Sequence, residues 1–139
     1  MLILNIGCGT KKFNYAENID NDKQLSDDSI KDISAYELDQ YYEEKTVDMI
    51  FMLSPYKYYP LRTPAYDILK RNGLLIITGT FNNSYFGEVW YAQESSLEEL
   101  GFITVSKTQH CHSEFWHSKH TEGQRIPNHT LKQIVLRKK

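Results

Sequence analysis

The chain has 139 residues, 40% of them hydrophobic and 24% charged, and a formal net charge of −2. That length supports a single domain, residues 1–139, because half of it could not bury enough apolar surface to be stable alone, and the composition excludes a disordered chain. No apolar run approaches the roughly 18 residues of a membrane span, and Met1-Leu2-Ile3-Leu4 lacks the basic flank of a signal peptide, so the expectation is a soluble, cytoplasmic protein.

Leu2-Ile3-Leu4-Asn5-Ile6 is a short apolar run stopped by Gly7-Cys8-Gly9, the pattern of a buried central strand running into a tight turn. Ala16 to Asp20 is a weaker strand that ends in acids, and Lys31-Asp32-Ile33 follows a polar stretch. Ser34, with Glu37 three residues on, has capping-box spacing and starts a helical segment from Ala35 to Glu44. Val47 to Leu53 is apolar except for Asp48 and shorter than an average helix. It therefore reads as a second buried strand, ended at Ser54-Pro55-Tyr56 because proline cannot donate to a ladder. Thr63 to Leu69 has a helical pattern, with Lys70-Arg71-Asn72-Gly73 as a basic last turn and glycine cap, and Leu74 to Thr78 is a third strong strand. Ser96 to Gly101 predicts a short helix ending at glycine, and Phe102 to Ser106 and Leu131 to Leu136 are two late strands.

Strands alternating with helices define an α/β fold: a mostly parallel sheet with helices on both faces and an antiparallel hairpin of the last two strands at one edge. The polar stretch from Gln109 to His129 joins that hairpin, and its sequence is read either as a functional insert or as a mobile loop. Acids crowd Glu17 to Asp48, whereas Lys107, Lys119, Arg125, Lys132, Arg137, Lys138 and Lys139 dominate the end of the chain. Such a run is either solvated surface or a face for an anionic acceptor or nucleic acid. Cys8 and Cys111 make no disulfide framework and are read as reduced thiols.

In an open parallel sheet the ligand crevice lies beyond the carboxyl ends of the central strands. Gly7 and Gly9 let backbone approach a ligand closely, and their amides can bond a carboxylate or ribose. Asp20 is either an acceptor for two vicinal ribose hydroxyls or a solvated turn acid. Asp32 is either an acceptor for an exocyclic adenine amine, with Ile33 packed on the ring, or a helix-start acid. His110, His112, His117 and His120, with Cys111, offer a base near neutral pH or zinc-type donors. Their spacing matches no specific zinc pattern, so the segment is read as a surface or acceptor-binding loop and no metal is assigned.

Leu4-Asn5-Ile6-Gly7-Cys8-Gly9, then Asn18-Ile19-Asp20, Asp32-Ile33, Val47-Asp48-Met49-Ile50 and Leu69 to Ile76, resembles the class I methyltransferases in order and spacing over about three-quarters of the chain. The similarity is to the short subgroup with an L-N-I-G-C-G opening. It implies a Rossmann-like, seven-stranded sheet and S-adenosyl-L-methionine as cofactor. Gly7 and Gly9 would lie under the methionine end, Asp20 on the ribose, and Asp32 and Ile33 at the adenine. With Asn5, Cys8 and Leu53 these residues make the candidate cofactor set. The chain departs from the family pattern at Asn5, which stands where an acid is usual, at Thr10-Lys11 in place of a third glycine, and in a connection too short for a full crossover helix.

Ser54-Pro55-Tyr56 is similar to the S-P-P-aromatic motif of amino-methyltransferases with one proline missing; the alternative is a strand-ending proline followed by tyrosines that pack a loop. The resemblance gives Ser54 an acceptor-holding role and Tyr56 a stacking role, and His110 and His112 join them as candidate catalytic residues. The expected function is methyl transfer to an N or O nucleophile of a small molecule or peptide, with RNA as a further acceptor class, by a monomer or homodimer without a membrane partner. The rival from another class is a cofactor-binding or partner-binding module that kept the fold without catalysis. A nicotinamide-dependent oxidoreductase is disfavoured by the absent third glycine.

Overall fold

A computed structural model describes residues 1–25, 27–109 and 131–139. Its elements are β1 (Ile3–Ile6), β2 (Glu17–Ile19), β3 (Ile30–Lys31), a 3-10 helix (Ala35–Gln40), β4 (Val47–Leu53), a 3-10 turn (Pro60–Arg62), α1 (Ala65–Ile68), β5 (Leu69–Gly79), α2 (Ser84–Trp90), α3 (Glu94–Glu99), β6 (Phe102–Thr108) and β7 (Lys132–Lys138). The strands form one seven-stranded sheet in the order β3-β2-β1-β4-β5-β7-β6. All neighbouring pairs from β3 to β5 are parallel, while β7 runs antiparallel to both β5 and β6. Among the described residues no helix is long and apolar enough to cross a membrane.

The apolar runs become central strands because alternate side chains reach opposite faces. Register places Leu4, Ile50, Leu75 and Leu136 in one row and Ile6, Met52, Ile77 and Ile134 in the next. All eight are essentially inaccessible to solvent. Burying side chains of this size contributes about 1.5–3 kcal/mol each before chain entropy is counted. On the other face Phe13, from the segment between β1 and β2, meets Phe51 edge to face at 5.4 Å. That segment does the covering where a crossover helix would usually lie.

Several expected boundaries move. The helix read from Thr63 is the single turn Ala65–Ile68, and its supposed basic cap belongs to β5. Leu69 pairs with Val47 and Leu74 with Met49, so residues 70–73 bulge out opposite Asp48, and Lys70 Nζ reaches the Asp48 carboxylate at 3.2 Å. Asn72, not Gly73, takes the left-handed backbone at φ +67°, while a Cβ on Gly73 would stand 2.8 Å from the Lys70 carbonyl oxygen. Two leucines that both find partners on β4 outweigh a weak helical pattern.

The segment after Ser34 is a 3-10 helix that stops at Gln40. Ser34 Oγ accepts from the N–H of Tyr36, and Glu37 has non-helical backbone angles. The helix expected from Ser96 begins at Glu94. α2 was not anticipated; Asn83 caps it by accepting from the N–H groups of Tyr85 and Phe86.

α2 seats Phe86 on β5 where Gly79 leaves room: a Cβ there would lie 2.5 Å from Phe86 Cγ. Phe86 is fully buried and stacks on Trp90 at 5.6 Å, so neither ring has space to move aside. Gly79→Ala should therefore lower stability by about 1–3 kcal/mol, the usual cost of overpacking a dense core. Urea unfolding monitored by tryptophan fluorescence measures it, and an unchanged midpoint would contradict this packing.

Candidate functional site

The carboxyl ends of β1, β2 and β4 open onto a cleft of about 770 Å³, within the range of small-molecule sites. Gly7, Gly9, Asp20 and Ile33 line it, and so do Ser54 and Tyr56 from beyond β4. The structure thus brings together six of the residues singled out from the sequence, although β2 and β4 reach β1 from opposite sides.

The glycine turn is shaped by positive φ at both glycines, +65° at Gly7 and +54° at Gly9. A Cβ at Gly7 would meet the Tyr58 ring at 3.0 Å, and Tyr58 donates its hydroxyl to the Ile6 carbonyl at 3.3 Å. At Gly9 nothing lies within 4 Å of a built Cβ, so this glycine leaves cleft space open. Its amide is nonetheless committed: it donates to Asp20 Oδ2 at 2.8 Å, while the amide of Asp22 donates to Asp20 Oδ1 at 2.9 Å. Asp20 therefore ties the turn after β1 to the end of β2 and keeps spare acceptor capacity, since a carboxylate offers about four lone-pair sites. The Gly9 amide, expected to bond a carboxylate or ribose, here meets the carboxylate of Asp20.

Behind the turn lies an amide network. Asn5 Nδ2 donates to the Lys11 carbonyl at 2.7 Å and to Asn18 Oδ1 at 3.0 Å, and Asn18 also accepts from the N–H of Phe13 and donates to the carbonyls of Phe13 and Ala16. Asn5 Oδ1 is buried with no hydrogen-bond partner among the described residues. The Lys12 to Asp27 ion pair at 2.5 Å fastens the same segment from outside. Lys12 and Ser29 together hold the Asp27 carboxyl down at about 2.

The other candidates lie elsewhere. Cys8 is buried, and burial first, with the negative charge of Asp20 second, pushes its thiol up to about 12. Burial and the same charge also push the Tyr58 hydroxyl upward, so it stays protonated. Asp32 is not among the residues that line the cleft; its exposed carboxylate holds Lys23 Nζ at 2.8 Å. Leu53 is half-buried at the end of β4. His110 and His112, with Cys111, His117 and His120, lie outside the described residues. Among the described residues no cluster of three His, Cys, Asp or Glu side chains could hold a metal.

Beyond β4, Ser54 and Lys57 are non-glycine residues with positive φ, +53° and +63°. Asn83 Nδ2 donates to the Pro55 carbonyl at 2.9 Å, which anchors the loop to the start of α2. Tyr59 and Tyr85 pack at 4.8 Å, and Tyr36 Oη accepts from the Tyr59 N–H at 2.8 Å. Sequence reasoning missed Lys57, Asn83 and Tyr36. Only the Asn-Asn-Ser cap ahead of Phe86, Val89 and Trp90 at helical spacing offered a signal, and it pointed to α2 rather than to the loop it braces.

No family model matches the sequence, and no curated protein matches it. Solved structures do. A SAM-dependent methyltransferase from Thermotoga maritima superposes with a TM-score of 0.58 at 18% identity, over 99% of this chain and 82% of that one. One from Methanosarcina mazei gives 0.59 at 12% identity, over 98% and 91%. The fold is that of the class I methyltransferases. A further structure with this fold, from Streptococcus mutans and solved in complex with SAH, gives 0.54 at 11% identity, over 100% and 87%. The amide at position 5 has a physical reason: its two contacts are both acceptors, which an NH₂ group can serve and a carboxylate cannot.

Asn5→Asp should thus destabilise the protein by about 1–3 kcal/mol at neutral pH, because a buried carboxylate would face the Lys11 and Asn18 oxygens. The facing oxygens raise such a carboxyl's folded pKa above its unfolded value. The deficit should therefore shrink as pH falls and the acid takes up a proton, and a deficit independent of pH would refute the account. In a Cys111→Ser background, Cys8 should stay unreactive to Ellman's reagent at pH 8 until the protein unfolds. Rapid labelling of the native state would contradict its burial.

Proposed function

We propose that this chain is an S-adenosyl-L-methionine-dependent methyltransferase that methylates an N or O nucleophile of a small molecule, a peptide or an RNA. One observation carries the reading: in a chain with the class I methyltransferase fold, Gly7, Gly9, Asp20 and Ile33 share a single cleft with Ser54 and Tyr56. The residues suit the cofactor. Open space over Gly9 admits a chain close to the backbone, Asp20 keeps acceptor capacity for vicinal hydroxyls, and Ile33 gives an apolar wall for a flat base. The SAH complex of the Streptococcus mutans relative in fold supports the choice.

When bound, the cofactor supplies a methyl group already activated on a sulfonium, so the protein needs chiefly to align the partners. In this reading Ser54 accepts a hydrogen bond from the acceptor's N–H or O–H and orients its lone pair. Tyr56, 60% exposed at the mouth, provides the face against which the acceptor lies. The braced loop keeps both at fixed distance from the glycine turn, and Tyr58 holds turn and loop together.

The second reading, a cofactor-binding module without catalysis, draws on Asn5, whose amide is spent on the backbone and on Asn18. Isothermal titration with S-adenosylmethionine and SAH tests the first claim: the wild type should bind both. Gly9→Ala, which places a methyl in open cleft space, and Asp20→Ala should each weaken binding about tenfold or more. Wild-type protein that binds neither compound would end the proposal. Binding without transfer to any acceptor pool would favour the second reading.

A further inference from the structure

We propose that Lys57 selects the acceptor, and that this acceptor is a small molecule bearing a carboxylate or phosphate; the inference rests on the methyltransferase reading of the cleft. The charges lining the cleft divide into two sides. On the β2 side, Asp20 takes the amides of Gly9 and Asp22, Asp22 takes the amide of Gln24, and Lys23 is neutralised by Asp32. This side therefore stays acidic, with Asp20 and Asp22 held in place by amides and Lys23 paired, which leaves an anion no place there. On the β4 side the charged lining residue is Lys57, and among the described residues no carboxylate forms an ion pair with it. Its ammonium lies 5.3 Å from the centre of the exposed Tyr56 ring, an attraction that is weak at a solvated site and readily exchanged for an anion.

The backbone strengthens the case. At φ +63° a glycine would be less strained than a lysine, yet this position carries a long cationic side chain, three residues beyond a second left-handed residue, Ser54. Asn83 fixes the intervening Pro55 carbonyl, so the loop cannot relax the strain by swinging away. Strain retained at the rim of a cleft, on a residue whose charge meets no carboxylate among the described residues, is the pattern of a ligand-reading position. An anionic group at Lys57 would leave the rest of the acceptor over Tyr56, within the half of the cleft that Ser54 shares.

Four probes with a common ring test this: benzoate, phenyl phosphate, benzylamine and benzyl alcohol, titrated by ligand-observed NMR into protein with and without saturating SAH. Wild type should bind one or both anions at least about fivefold more tightly than the amine and the alcohol, and which anion wins separates carboxylate from phosphate. Lys57→Gly, which also relieves the backbone and so should fold, is expected to erase that preference, and Lys57→Arg to keep it. Equal or tighter binding of benzylamine by the wild type, no binding of either anion, or an anion preference that survives Lys57→Gly would each overturn the proposal. SAH binding is read separately: its absence sinks the methyltransferase reading, while loss of anion preference alone sinks only this one.

Discussion

Two parallel strands joined without a helix leave a connecting backbone whose polar groups no regular element satisfies, and the site depends on how this chain satisfies them. Residues 7–16 run from β1 to β2 with neither helix nor strand. Asn18 answers the middle of that segment through Phe13 and Ala16, Asn5 answers Lys11, and Asp20 answers Gly9. A buried amide or carbonyl left unpaired costs about 1–3 kcal/mol, so this short polar network stabilises a connection that would otherwise fray. Phe13 then covers the sheet at Phe51, and the glycine turn is held open beside the cleft.

The same economy explains the amide at position 5. The Asn5 side chain lies under the connecting segment and meets oxygens, which an amide can serve and a carboxylate cannot. Among the described residues Asn5 Oδ1 has no partner, and this is the cost of that arrangement: the NH₂ group is fully used and the oxygen is left behind.

The two walls of the cleft are one packed unit. Tyr58 fills the space that a side chain at Gly7 would occupy and bonds the last carbonyl of β1, so the loop after β4 rests directly on the turn after β1. Asn83, capping α2, holds the other end of that loop. Strained residues persist between such anchors because relaxing them would break several buried contacts at once.

The sequence by itself determined the strands whose apolar runs have no polar competitor: β1, β4 and the core of β5 fall where their hydrophobicity requires, and the turn Gly7-Cys8-Gly9 follows from glycine punctuation. Strand ends and the family resemblance also named Gly7, Gly9, Asp20, Ile33, Ser54 and Tyr56 as candidates, and these six share one cleft. Only the tertiary structure decided what those residues do to one another. The commitment of the Gly9 amide to Asp20, the engagement of Asp32 by Lys23 and the placement of Lys57 depend on which strands become neighbours. The bulge at residues 70–73 and the short turn of α1 have the same origin, since pairing with β4 overrode a local pattern that favoured helix. Local propensity is worth a few tenths of a kcal/mol per residue, and a buried pair of leucines is worth several times that, so where they conflict the long-range contact prevails.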